Sequence, residues 1–256
     1  MIDFANNDHR PWPMPQRPWR LRQRWSRLLF AHWPMPADAV QQQLPRGLRV
    51  DTFDGWAWLG VVPFLMDQVR FRTVGQHSAG VPSARAFPEL NLRTYVVAPD
   101  GRAGVYFFSL DAGSLLAVLG ARVAFGLPYF WARMRFEQQG STVRYTSHRR
   151  IGRAADFVAS YRSLGRPSEQ DDLRRFLTER YAFFTRYLGA VQAGEIHHGP
   201  WPLENAEAEF EQNGLPGAFG FTLPERPPVL HYAPEVHMQA WTIRPVRPRP
   251  PVSPAP

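Results

Sequence analysis

Residues 87–96 read Phe87-Pro88-Glu89-Leu90-Asn91-Leu92-Arg93-Thr94-Tyr95-Val96. At the two-residue period of a strand, Leu90, Leu92, Thr94 and Val96 share one face, and Glu89, Asn91, Arg93 and Tyr95 share the other. One face is apolar, and its opposite carries a carboxylate, an amide, a guanidinium and a phenol in a row. On an extended strand the Cα atoms of Glu89 and Arg93 lie about 13 Å apart, too far for direct pairing, so each needs a partner on another strand or a ligand. A solvated outer face is the ordinary explanation of such alternation. The next segment, Val105-Tyr106-Phe107-Phe108-Ser109-Leu110-Asp111, is apolar on both faces, which implies a sheet covered on both sides. In such a sheet a polar row either pairs internally or lines a cavity, and both readings stay open.

A second polar row follows at Tyr145, Ser147 and Arg149, with Arg122 projecting from the segment before it. Guanidinium groups bind carboxylates in bidentate fashion, so Arg93, Arg122 and Arg149 are candidates for an anion-recognising pocket. Tyr95, Tyr106, Tyr129 and Tyr145 are candidates for its aromatic lining. Taken singly, each Arg is more readily explained by an ion pair with Asp111, Glu179 or another acid.

Outward from these rows the chain is mostly strand-like. Segments 49–53, 56–64, 89–97, 104–110, 130–137 and 142–149 are rich in β-branched and aromatic residues and bounded by Gly, Pro or Asp. Residues 137–141 suit a hairpin turn. Helical patterns occur at 36–43, at about 113–125, and at 168–177, where Ser168 and Asp171 form a capping-box-like start. Many strands with few helices predict an α+β, mainly antiparallel domain of barrel-like form. The stretch 115–132 holds a single charge, Arg122, but that charge and the Gly126-Leu127-Pro128 break argue against a membrane span.

The chain has 256 residues, 44% hydrophobic and 20% charged, the profile of one globular domain. Its 30 basic residues are all Arg; there is no Lys and no Cys. A side-chain Schiff base, a thiolate nucleophile and a disulfide are therefore excluded. The net charge of +8 would ordinarily suggest nucleic acid. Six Arg stand against Asp3 and Asp8 in residues 1–30, and four against Glu235 in residues 226–256, which leaves 31–225 nearly neutral. The expectation is a Pro/Arg-rich tail at 1–18, a single domain at 19–243, and a Pro-rich disordered tail at 244–256, with no specific nucleic-acid partner. No secretory leader pattern opens the chain, so a cytoplasmic protein is expected. Phosphate-binding signatures are missing, and His197-His198 are adjacent while the other histidines are scattered, so no cofactor and no metal are expected.

Three elements together resemble the YqjF-like family of unknown function, DUF2071: residues 87–96, Gly104-Val105-Tyr106-Phe107-Phe108-Ser109-Leu110-Asp111-Ala112, and Ile196-His197-His198-Gly199-Pro200-Trp201-Pro202-Leu203. Leu44-Pro45-Arg46-Gly47-Leu48, residues 57–64 and Leu177-Thr178-Glu179-Arg180-Tyr181 add to the likeness, which runs from about Trp19 to Trp241. The resemblance implies the acetoacetate decarboxylase-like fold, a β-rich cone or barrel around a central cavity. In the decarboxylases of that fold a Gly-x-Pro-Lys-Lys element supplies the Schiff-base lysine. The matching stretch here is Gly126-Leu127-Pro128-Tyr129-Phe130, so Tyr129 stands where the lysine would be. Glu89 matches a pocket glutamate of that fold.

The expected function is binding of a small carboxylate or carbonyl metabolite in a cavity lined by Glu89, Asn91, Arg93, Tyr129 and Arg149. Turnover, if any, would be acid–base chemistry of lyase or isomerase type without an imine. Glu89 would serve as general base, Tyr129 as proton or hydrogen-bond donor, and Arg93 or Arg149 as the anion clamp. One alternative is a non-enzymatic interaction module whose basic tails contact an acidic partner. Another is a metal-assisted hydrolase using His197 or His198.

Overall fold

The computed structural model describes residues 4–72, 78–80, 86–115, 118, 122, 125–187 and 189–247. In chain order its first strands are β1 (Leu21–Met35), β2 (Arg49–Val50), β3 (Ala57–Arg72), β4 (Ser78–Gly80), β5 (Phe87–Val97), β6 (Ala103–Ala112) and β7 (Tyr129–Gln139). Then come β8 (Thr142–Arg149), β9 (Asp156–Pro167), β10 (Ala182–Tyr187), β11 (Ala190–His198), β12 (Glu204–Asn213), β13 (Val229–Ala240) and β14 (Arg244–Pro245). The helices are short: α1 (Ala37–Gln41), α2 (Asp172–Thr178) and α3 (Leu215–Ala218). This is the α+β, mainly antiparallel architecture expected; β6 pairs in parallel with β7 and β10, and the other pairings are antiparallel. Most of the helix expected at 113–125 lies outside the described residues. Among the described residues no helix is long and apolar enough to cross a membrane.

Strand pairing closes on itself twice. One circuit runs β13–β1–β3–β5–β6–β10–β11 and returns to β13; the other runs β13–β1–β3–β5–β6–β7–β8–β9–β12 and returns to the same strand. The strands common to both circuits have an interior on each face. On one face Leu59, Val61, Leu90 and Leu92 pack against Val143, Tyr145, Phe157 and Tyr161 in a closed core. On the other face the same strands surround a cavity.

Three irregularities keep the faces in phase. Arg27 and Gln68 are non-glycine residues with positive φ (53° and 50°), and each sits at a register shift between β1 and β3. Each shift adds one residue to its strand, so that Trp25 and then Leu28, and Met66 and then Val69, face the cavity. On β6 the shift opposite Leu92 and Arg93 leaves Phe107 and Leu110 on the cavity while Phe108 turns into the core. A Cβ on Gly194 would collide with the Phe183 ring on the paired strand, so glycine is required there for β10 and β11 to close the circuit.

Helix α2 begins four residues later than the sequence pattern suggested. Asp171 is the N-cap, its carboxylate accepting from the Arg174 N–H at 2.6 Å, while the Ser168 N–H is committed to the Leu203 carbonyl. Residues 9–18 form neither helix nor strand but lie against the body. Arg10 is buried there, its Nη1 donating to the Ile196 carbonyl at 2.6 Å, and Arg17 donates to the Thr242 carbonyl at 2.8 Å. Arg244–Pro245 pairs with β11; residues 248–256 lie outside the described residues.

The closed core contains one fully buried ion pair. Arg149 on β8 donates through Nε and Nη2 to the two oxygens of Asp111, at 2.9 and 2.7 Å, and through Nη2 to Ser109 Oγ at 2.9 Å. Removing one partner strands the other charge in a medium that cannot solvate it. Arg149→Met is expected to lower stability by about 3–5 kcal/mol, read as a shift of the urea midpoint. Arg144→Met, which breaks an exposed pair with Glu211, should leave the midpoint nearly unchanged. Equal shifts in the two variants would refute the pinning role of Arg149.

Candidate functional site

The alternation on β5 aims Glu89, Asn91 and Arg93 into the cavity, which has a volume of about 230 Å³. Tyr129, the first residue of β7, enters from the adjoining strand. Its position follows from the turn before it: Gly126 adopts φ 60°, the Tyr129 N–H donates to the Leu127 carbonyl, and Arg122 Nε donates to the Tyr129 carbonyl at 2.7 Å. The Tyr129 hydroxyl then donates to Glu89 Oε2 at 3.0 Å. The Glu89 backbone is fixed from the opposite face, where the Tyr145 hydroxyl donates to its carbonyl at 2.7 Å.

Glu89 is 2% exposed, and burial pushes its pKa up to about 8; hydrogen bonds from Tyr129 and Asn91 pull the other way, and the charge of Asp111 adds to the rise. At neutral pH the group therefore rests as a carboxylic acid. A protonated Glu89 is a proton and hydrogen-bond donor before it can be a base. Its carboxyl group is in hydrogen-bond contact with the Tyr129 hydroxyl and with Asn91. Asn91 Oδ1 has no hydrogen-bond partner among the described residues. The Tyr129 phenol is held well above its ordinary pKa by burial, then by Glu89, and stays neutral.

Arg93 supplies the cavity's cationic group. Its Nη2 donates to the Leu177 carbonyl at 3.2 Å and the Tyr95 hydroxyl at 3.3 Å, and its guanidinium lies 5.2 Å from the centre of the Phe30 ring. Among the described residues it forms no ion pair, and its Nε is buried without a partner. Arg180 also reaches the cavity wall but is neutralised, Nη1 donating to Asp51 at 2.8 Å.

Four of the nine candidate residues thus converge: Glu89, Asn91, Arg93 and Tyr129. The other five stand elsewhere. Tyr95 shares the face of Arg93 but is not part of the cavity lining, and it packs with Leu177 of α2, Trp58 and Val105. Its hydroxyl donates to the Leu177 carbonyl at 2.5 Å and meets His32 Nε2 at 2.7 Å. Tyr106 points to the opposite face and packs edge-on against Phe108. Tyr145 belongs to the closed core, Arg122 is exposed, and Arg149 is spent on Asp111.

The rest of the wall is largely apolar and was not singled out beforehand. Trp25 and Trp201 stack at 6.2 Å between ring centres, with Phe30 edge-on to Trp201 at 5.0 Å. His198 lines the cavity, its Nδ1 2.7 Å from the Gly199 carbonyl, and burial lowers its pKa, which keeps it neutral. Among the described residues no group of three or more His, Asp or Glu is placed to hold a metal ion, so the hydrolase alternative has no ligand set there.

Comparison with known proteins agrees with this architecture. The family DUF2071, described as an uncharacterized conserved protein, matches residues 22–237. The uncharacterized protein YqjF of Bacillus subtilis (strain 168) is 45% identical over 233 residues, covering 90% of this chain and 94% of that protein. An acetoacetate decarboxylase-like enzyme from Sphingomonas wittichii RW1 superposes with a TM-score of 0.60 at 14% identity, over 96% of this chain and 100% of that one. The enduracididine biosynthesis enzyme MppR complexed with pyruvate superposes with a TM-score of 0.60 at 11% identity, over 91% and 93% of the two chains. At such identities the structural likeness establishes the fold alone, whereas the sequence match establishes descent. The chain belongs to the YqjF-like DUF2071 family and has the acetoacetate decarboxylase-like fold.

Proposed function

We propose that the protein binds a small carboxylate or carbonyl compound in this cavity and handles it without a covalent imine. The observation that carries the reading is the placement, in one mostly apolar cavity, of a buried carboxyl group, Glu89, together with a guanidinium, Arg93, that forms no ion pair among the described residues. The two groups differ in what they accept. Arg93 favours a carboxylate, because beside Phe30 its charge has backbone and phenol hydrogen-bond partners and no acid among the described residues. Glu89, held by Tyr129 and Asn91, presents its proton to a carbonyl oxygen and stabilises negative charge that develops there. The chain has no lysine, and Tyr129 fills the place of the Schiff-base residue, so the chemistry open to the site is acid–base, of lyase or isomerase type. The pyruvate complex of MppR supports a keto acid as the ligand class. The alternative of basic tails seeking an acidic partner is weakened by Arg10 and Arg17, which are engaged with the body of the protein.

Isothermal titration with 2-oxo acids is expected to show binding that weakens by about tenfold or more in Arg93→Ala. Identical titrations of the two proteins would overturn the assignment of Arg93 to the ligand. Glu89 gives a separate prediction. The unfolded chain releases this proton near pH ~4.3, while the folded protein holds it until about pH 8. Between those values the folded state binds the extra proton, so this group's contribution to stability is full at low pH and is lost as pH rises. The loss is at most about 1.4 kcal/mol per pH unit and ends above pH ~8. Urea unfolding from pH ~5 to ~8 should therefore show wild type losing stability relative to Glu89→Gln. A difference between the two that does not change with pH would mean that Glu89 titrates as an ordinary carboxylate.

A further inference from the structure

Glu89, Asn91, Arg93 and Tyr129 occupy one end of the cavity; toward the other end the lining is apolar except for Gln23, whose Oε1 accepts from Trp25 Nε1 at 3.0 Å. Phe64 on β3 lies opposite Glu89, and from there the lining continues along β1 and β3 through Trp25, Met66 and Val69 to Leu21 and Phe71. Leu21 and Phe71 face each other in the β1–β3 ladder, and Phe71, 40% exposed, brings the apolar wall to the protein surface. The seven-residue step from Phe64 to Phe71 corresponds to about 20 Å of strand. A three- or four-carbon acid seated between Glu89 and Arg93 would leave that stretch of wall in contact with water.

The wall is apolar by construction. Without the extra residue at Gln68, the two-residue period would have turned Asp67 and Val69 to one face and Gln68 and Arg70 to the cavity. The left-handed backbone at Gln68 shifts the phase so that Val69 and Phe71 follow Met66 on the inside. A non-glycine residue at positive φ is strained. Here the strain maintains an apolar lining well away from the polar groups that would handle a small acid.

We infer that the ligand carries an extended apolar chain, longer than that of the common three- and four-carbon keto acids, lying along β1 and β3 with its head group between Glu89 and Arg93. This rests on the head-group assignment proposed above and adds the substrate class to it. Burial of chain and wall together is favourable in proportion to area, so affinity should climb with chain length.

The test is a calorimetric series of pyruvate, 2-oxohexanoate, 2-oxooctanoate and 2-oxodecanoate on wild type, Arg93→Ala and Val69→Trp, each checked for folding by thermal melting. Affinity for wild type should tighten about fourfold per added methylene along the series. Val69→Trp, which fills the channel beyond Met66, should weaken 2-oxodecanoate by about tenfold or more and leave pyruvate within about twofold. Affinity that is flat or falls with chain length, while still depending on Arg93, overturns the apolar-chain inference and leaves the head-group site standing. Binding that ignores Arg93 throughout overturns the head-group site itself. Should Val69→Trp not fold, the wild-type series alone decides the chain-length claim.

Discussion

Strands β13, β1, β3, β5 and β6 belong to two closed circuits at once, so along their central stretches both faces look into an interior, and exposure is confined to parts such as the end of β3. Everything distinctive about the protein follows from that constraint. A side chain on such a strand enters either a packed core or a cavity, and any polar group there must find a partner inside. The core circuit holds a self-contained pair, Arg149 and Asp111, and leaves Ser147 Oγ without a partner among the described residues. The cavity circuit leaves Asn91 Oδ1 and Arg93 Nε without partners among the described residues. Polar groups held in place without partners are what a ligand can complete.

The same constraint accounts for the chemistry. In the cavity the Tyr129 phenol donates to a buried glutamate, Glu89. Burial rather than charge pairing governs the result, because the apolar wall raises the Glu89 pKa by more than Tyr129 and Asn91 lower it. A carboxylic acid kept neutral in an apolar site is a hydrogen-bond donor.

The alternation at 87–96 was legible because β5 is regular where it matters. Glu89, Asn91 and Arg93 all reach the cavity as their parity predicts. The apolar character of both faces of β6 was legible for the same reason, since a strand shared by two interiors has no polar face to show. By contrast, β1 was not read as a strand: its bulge at Arg27 breaks the period, and Arg22, Arg24 and Arg27 give it a polar appearance. Likewise Tyr95 has the right parity but stands outside the cavity lining, because a helix eighty residues away engages it through the Leu177 carbonyl and side chain. Trp201 and His198 carry no period at all, and only chain closure brings them to the wall.

By itself the sequence determined the chemistry that is excluded and the face that is polar: thirty arginines and no lysine remove the imine, and a two-residue period is enough to gather Glu89, Asn91 and Arg93. Tertiary structure alone decided which arginine is available. Arg93 and Arg149 are equivalent as letters, each on a strand within a polar row. Arg149 on β8 meets Asp111 on β6 across the intervening β7, and Arg93 faces the interior of the other circuit, where it forms no ion pair among the described residues. That difference is one of long-range strand pairing, and local pattern carries no information about which distant carboxylate will arrive opposite a given guanidinium.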